Sequence, residues 1–64
     1  MTFKIEYLRP DGSVCRVVPD VEGTLNEVED GILARLDETR SFGATTYQIR
    51  DMTRRGRIIC VETF

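Results

Sequence analysis

The chain contains no histidine, and this absence removes several common chemistries. Without histidine there is no general base with an ordinary pKa near neutrality, no Ser-His or Cys-His nucleophile pair and no imidazole metal ligand. The two cysteines, Cys15 and Cys60, fall short of the four ligands of a structural zinc site. No glycine-rich phosphate-binding pattern occurs either. We therefore expect no catalytic residues, no metal site and no cofactor, and predict that the protein is not an enzyme.

Long apolar runs are also missing. No stretch approaches the roughly 20 apolar residues needed to cross a bilayer. The first residues, from Met1 to Lys4, show strand-like alternation rather than an apolar signal segment. Disulfide scaffolds usually carry more than two cysteines, so two buried free thiols are favoured over a disulfide. These features predict a cytoplasmic protein that does not associate with membranes.

The composition of the 64-residue chain is typical of one small folded domain spanning residues 1–64. Apolar residues make up 41% of the chain and charged residues 31%, which argues against disorder. A domain of this size buries only about 60% of the surface that its unfolded chain exposes. Each large apolar side chain therefore matters to its stability.

The strongest local signal is a helix in the middle of the chain. Thr24 and Glu27 have the spacing of a capping box, in which each side chain accepts a hydrogen bond from the other residue's backbone. Apolar residues then recur at helical spacing, namely Leu25, Val28, Ile32 and Leu36. Gly43 suits the left-handed conformation that ends a helix, so the pattern predicts a helix from about residue 25 to 41. Gly31 within it costs about 1 kcal/mol relative to alanine unless packing or backbone geometry compensates.

A hairpin is predicted on each side of this helix. Residues 3–7 and 14–18 are strand-like and flank a turn at 10–13, while residues 45–50 and 58–61 flank a loop at 53–56. The order ββαββ predicts an α+β fold: two β-hairpins form one largely antiparallel four-stranded sheet with a single helix packed on one face. Because residues 58–61 are apolar on both faces, the last strand is predicted to lie inside the sheet.

One sheet face remains uncovered in this arrangement, and apolar residues are left over for it. Side chains assigned to the helix-facing side are Phe3, Ile5, Tyr7, Tyr47 and Ile49. The alternating positions suit water and are Lys4, Glu6, Gln48 and Arg50. Residues assigned to a second apolar patch, and therefore to partner binding, are Ile58, Cys60 and Phe64. Coverage of this patch by strand ends and hairpin twist is the alternative.

Arginines cluster in the second hairpin. A protruding loop carrying Arg54, Arg55 and Arg57, with Arg50 nearby, has the donors to bind phosphates or another anion. Against this, the sequence pI is about 5.0, far below that of typical nucleic-acid-binding domains, and the helix is acidic. A solvated charged loop that discourages aggregation, and a contact with an acidic protein, are the other interpretations.

The sequence does not by itself specify an activity. We expect a non-enzymatic protein-interaction or regulatory module that uses the uncovered sheet face or an edge strand, with self-association into a homodimer as one form. The alternative is a nucleic-acid-binding accessory domain that uses the arginine-rich hairpin at 50–57.

Overall fold

Two β-hairpins flank a helical segment in the computed structural model, which describes all residues from 1 to 64. The elements are strand β1 (Thr2–Leu8), strand β2 (Val14–Glu22), helix α1 (Leu25–Leu33), helix α2 (Leu36–Ser41), strand β3 (Thr46–Asp51), a 3-10 turn (Met52–Arg54) and strand β4 (Arg57–Thr63). Every pair of neighbouring strands is antiparallel. The predicted α+β fold with one open four-stranded sheet is confirmed.

The strand order is β2-β1-β3-β4, so the first and third strands occupy the centre. The helical segment leaves the outer strand β2 and carries the chain over β1, which lets β3 pair with β1 on its free side. β4 then returns as a hairpin to the outside of β3. The prediction that the last strand lies inside the sheet is therefore wrong.

A β-bulge explains how β4 is apolar and still lies at an edge. Ile49 is paired with Cys60 and the next residue, Arg50, with Ile58, so Ile59 is an extra residue in β4. Because of this insertion, Ile59 and Cys60 both pack against the core side instead of alternating. A strict two-residue period assigns them to opposite faces, and that assignment is wrong.

The predicted capping box opens α1. The Thr24 hydroxyl accepts from the Glu27 backbone at 3.2 Å, and the Glu27 carboxylate accepts from the Thr24 backbone at 3.1 Å. The predicted continuous helix over 25–41 is interrupted, however, because Arg35 has φ −120° and ψ 21° and separates α1 from α2. The amide of Arg35 donates to Ile32 O at 3.0 Å, a tightened last turn. The low helix propensity of Gly31, one turn earlier, weakens the helix at this point.

The core lies between the helices and the two central strands. Its eight buried apolar residues are Phe3, Ile5, Tyr7, Val28, Ile32, Ala44, Tyr47 and Ile49. All five strand residues assigned to the helix-facing side belong to this set, so that part of the pattern is confirmed. Phe64 adds to it, since its ring stacks on that of Tyr47 with centroids 6.0 Å apart. The helices leave the opposite face of the sheet uncovered.

Candidate functional site

The uncovered face of the sheet carries polar residues at its centre and apolar residues at its margins. Residues directly opposite each other on neighbouring strands share a face. The register places Leu8, Val14, Thr46 and Thr63 at one end of this face. Seven residues form the rest of the surface, which we call the open face: Lys4, Glu6, Val17, Gln48, Arg50, Ile58 and Val61.

Glu6 is the centre of a polar network on the open face. It is only 8% exposed, although it lies on the side that no helix covers. Its carboxylate accepts hydrogen bonds from Gln48 Nε2 at 2.8 Å and from Arg50 Nε, and Lys4 Nζ lies 4.0 Å away. The hydrogen bond from Arg50 is the main reason that the pKa of Glu6 is lowered, although burial opposes it. The sequence assigns Glu6 to water, but neighbouring strands enclose it.

This network also fixes the second hairpin to the sheet. Arg50 Nη1 donates to Gly56 O at 2.9 Å, so one guanidinium joins β1, β3 and the hairpin loop. At the base of this loop, Asp51 Oδ1 accepts from the Thr53 amide at 3.0 Å and from its hydroxyl at 2.6 Å. The Thr53 hydroxyl is the main cause of the lowered pKa of Asp51. The carboxylates of Glu6 on the open face and of Asp51 at the loop therefore both have hydrogen-bond donors within the protein.

The margin at β4 is apolar and exposed. Ile58 and Val61 are 41% and 56% exposed, and cross-strand pairing with Arg50 and Gln48 puts both on the open face. Strict two-residue alternation places Val61 on the same face as Ile59, so the sequence pattern does not identify Val61 as an open-face residue. The bulge at Ile59 is what puts Ile59 and Val61 on opposite faces.

The two edge strands of the sheet differ in how well they are protected. β2 contains Pro19, which has no amide to donate, and Asp20 with φ 57°, and its pairing with β1 has two register irregularities. β4 contains no proline and no residue with positive φ, and its one irregularity is the bulge at Ile59, after which pairing with β3 is regular from Cys60 to Thr63. The backbone groups on the outer side of β4 have no neighbouring strand in the sheet. β4 is therefore the edge that is open to pairing.

The three residues assigned to partner binding do not lie together. Ile58 is on the open face, whereas Cys60 and Phe64 pack against the core on the helix side. Cys60 Sγ lies 3.4 Å from Glu29 Oε1, and burial, together with Glu29, raises the pKa of this thiol. The expectation that all three form one patch is wrong. The role of each residue in binding stays a prediction.

The two cysteines are free, as predicted, and each is partly rather than fully buried. Cys15 lies on β2 and Cys60 on β4, at opposite edges of the sheet. Three strand spacings of about 4.8 Å separate these edges, roughly 14 Å, which is too far for a disulfide within the chain.

The arginine-rich hairpin is less available for anion binding than its sequence indicates. Arg50 is committed to Glu6 and Gly56, and Arg54 Nε lies 3.6 Å from Asp51 Oδ2. Arg55 and Arg57 are exposed and take part in no ion pair. Nucleic-acid binding by this hairpin stays a prediction that rests on the charge of these two residues.

Comparison of the chain with protein-family models, with curated proteins and with solved structures finds no match. No group of three or more cysteine, aspartate or glutamate side chains has an arrangement that could hold a metal ion. Neither helix has both the length and the apolar character needed to span a bilayer. The fold and the geometry of the open face are therefore the basis for the functional proposal.

Proposed function

We propose that the protein is a non-enzymatic interaction module that pairs with a second copy of itself along β4. The observation that carries this proposal is an outermost strand with two exposed apolar residues, Ile58 and Val61, on the same face. Unpaired backbone groups at such an edge bind another strand by extending the sheet, and apolar side chains beside them add affinity.

The order of side chains along β4 favours a second copy as the partner. When two β4 strands pair antiparallel about a two-fold axis, one register places Ile58 opposite Val61 of the second copy. The same register places Arg57 opposite Glu62. Arg57 and Glu62 both lie on the helix side, since their partners on β3 are Asp51 and Tyr47. In this register Ile58 contacts the apolar side chain of Val61 in the second copy, and the positive charge of Arg57 lies opposite the negative charge of Glu62.

Phe64 supports this edge from the core, and Cys60 both holds β4 to the helix and lies opposite Ile59 of the second copy in this register. Phe64 donates its backbone amide to Thr45 O at 2.9 Å and stacks on Tyr47. Cys60 links β4 to Glu29 on α1. These contacts hold β4 in place before pairing, which lowers the ordering cost of association. We propose a cytoplasmic location and a regulatory or scaffolding role for the dimer.

Sedimentation equilibrium at micromolar concentrations tests the proposal. The wild-type protein is expected to reach the mass of a dimer, and Val61→Arg is expected to remain a monomer because it places two charges at the apolar contact. Val17→Arg is the matched control, since Val17 lies on the open face at the opposite edge and is 43% exposed. A wild-type protein that stays monomeric, or a loss of the dimer in Val17→Arg but not in Val61→Arg, would refute pairing through β4.

A charge exchange tests the register. Glu62→Arg places arginine opposite Arg57 at both ends of the contact and is expected to weaken the dimer. Adding Arg57→Glu reverses both pairs and is expected to restore association toward that of the wild type, with circular dichroism to confirm folding of each variant. Failure of the double variant to recover, although it is folded, would exclude this register.

A further inference from the structure

A groove on the helix side of the sheet is separate from the open face. It lies between α1 and the outer strand β2 and has a volume of about 390 Å³, within the usual range for small-molecule sites. Six of its ten lining residues are apolar: Ile5, Tyr7, Val18, Val21, Val28 and Ile32. The groove forms because the helical layer packs toward β3 and β4, where Glu29 meets Cys60, and leaves β2 partly uncovered.

Opposite ends of the groove carry opposite charges. Glu27 lies at the start of α1 and Arg35 just beyond its end, about 12 Å apart at the helical rise of 1.5 Å per residue. Both carboxylates at the first end have internal partners: Glu27 accepts from the Thr24 amide at 3.1 Å, and Glu22 accepts from the Thr2 hydroxyl at 2.8 Å. These donors are neutral, so both carboxylates keep their negative charge, and Arg35 at the other end is the one positive side chain that lines the groove.

Two donors at the Arg35 end have no partner within the protein. Arg35 is exposed and takes part in none of the five ion pairs, and the nearby Glu38 is paired with Arg16 at 3.5 Å. Tyr7 is only 6% exposed, yet its hydroxyl forms no hydrogen bond and is reached by solvent, and the residue lines the groove together with Arg35. A buried tyrosine hydroxyl usually finds a partner. The groove therefore presents a guanidinium and a hydroxyl beside apolar walls.

Gly31 provides an independent observation on the same groove. It lines the groove, its backbone is helical, and a Cβ added there would meet no atom within 4 Å. Neither close packing nor backbone geometry thus explains a glycine that costs the helix about 1 kcal/mol relative to alanine. Its effect is to keep one wall of the groove free of a side chain.

We propose that this groove binds a small apolar monocarboxylate, such as a medium-chain fatty acid. The carboxylate accepts hydrogen bonds from the Arg35 guanidinium and the Tyr7 hydroxyl, and the apolar tail lies along Val18, Val28 and the open side of Gly31. The carboxylates at the far end disfavour the reverse orientation. This site is independent of pairing along β4.

Titration with sodium octanoate below its micellar concentration, followed by backbone amide NMR, tests the proposal. Saturable shifts are expected at Val18, Val28 and Gly31, with octanoate binding more tightly than octanol. Arg35→Gln is expected to weaken octanoate binding about tenfold and to remove the preference over octanol. Arg40→Gln, which removes an exposed guanidinium outside the groove, is the charge-matched control and is expected to bind as the wild type does.

Variants at Gly31 separate filling of the groove from damage to the fold. Gly31→Ala is expected to raise the midpoint of thermal unfolding while weakening octanoate binding, and Gly31→Leu is expected to abolish binding. Ala34→Leu adds a similar side chain to the same helical segment outside the groove and is expected to leave binding unchanged. The proposal is overturned if octanoate shifts no groove amide, if its strongest shifts fall on the open face, or if Gly31→Leu binds as the wild type does.

Discussion

Replacement of Arg50 by methionine probes the polar centre of the open face. The substitution keeps an unbranched side chain in β3 but removes the guanidinium that bonds to Glu6 and to Gly56 O. Gln48 and Lys4 then remain as the only partners of the Glu6 carboxylate. Because Glu6 is only 8% exposed, water replaces the lost partner poorly. We therefore expect the variant to fold with reduced stability.

The size of the effect follows from the two lost hydrogen bonds. A hydrogen bond to a charged group contributes about 1.5–3 kcal/mol, and one to a backbone carbonyl contributes about 1 kcal/mol. The side chain of Arg50 is 32% exposed, which screens the charged interaction and favours the low end of these ranges. We expect Arg50→Met to lower the free energy of unfolding by about 2 kcal/mol, a large share of the total for a domain this small.

A double-mutant cycle in urea, followed by circular dichroism, measures the interaction itself. Combining Arg50→Met with Glu6→Met removes the buried carboxylate that the single variant leaves without its partner. The loss of unfolding free energy in the double variant is expected to be smaller than the sum of the losses in the two single variants, by about 1 kcal/mol or more. If the two single losses of unfolding free energy sum to that of the double variant within about 0.5 kcal/mol, the view that the network stabilises the open face is refuted.

The same pair predicts a pH dependence with a defined sign. The pKa of Glu6 is lowered in the folded protein, chiefly by Arg50, so the folded state binds this proton less readily than the unfolded chain. The stabilisation is therefore fully present above the unfolded-state value of 4.5 and is lost as the pH falls through the lower folded-state pKa. The stability difference between wild type and Arg50→Met should narrow on acidification, and a difference that widens would contradict the assignment.

Three further predictions concern the fold. Thr24→Ala removes the capping hydroxyl and should lower the free energy of unfolding by about 1 kcal/mol in urea titrations; no change would show that the cap is not formed. Ile49→Ala empties a fully buried position and should cost about 2–5 kcal/mol in the same assay, whereas a cost below 1 kcal/mol would place Ile49 outside the core. Thiol titration of unreduced protein should find two free thiols, and Cys60 should react slowly because its pKa is raised; a disulfide between Cys15 and Cys60 of one chain would contradict the strand order.

Local signals in the sequence account for the elements of the fold. The capping box at Thr24 and Glu27 predicted the start of the helix, and two-residue alternation predicted which residues of β1 and β3 face the core. These features depend on neighbours within a few residues, so the pattern contains them. The fold class followed from the order of the elements alone.

Features that depend on distant residues could not be predicted in this way. The hydrogen bonds of Glu6 come from residues more than 40 positions later, and only the pairing of β1 with β3 brings them together. The bulge at Ile59 shifts the side chains that follow it, so Cys60 and Val61 exchange the faces that alternation assigns to them. The groove depends on the position of the helices relative to the sheet, which local sequence patterns do not specify. The interruption at Arg35 has no proline to mark it, and Gly31, one turn earlier, weakens the helix without showing where it breaks.

Amide hydrogen exchange in β4, measured by NMR at low and high protein concentration, tests the central claim of pairing along this edge most directly. We predict that the amides on the outer side of Arg57–Thr63 exchange freely in dilute solution and become protected as the concentration rises, while those of β2 do not change. Exchange in β4 that is independent of concentration, or new protection confined to β2, would contradict it.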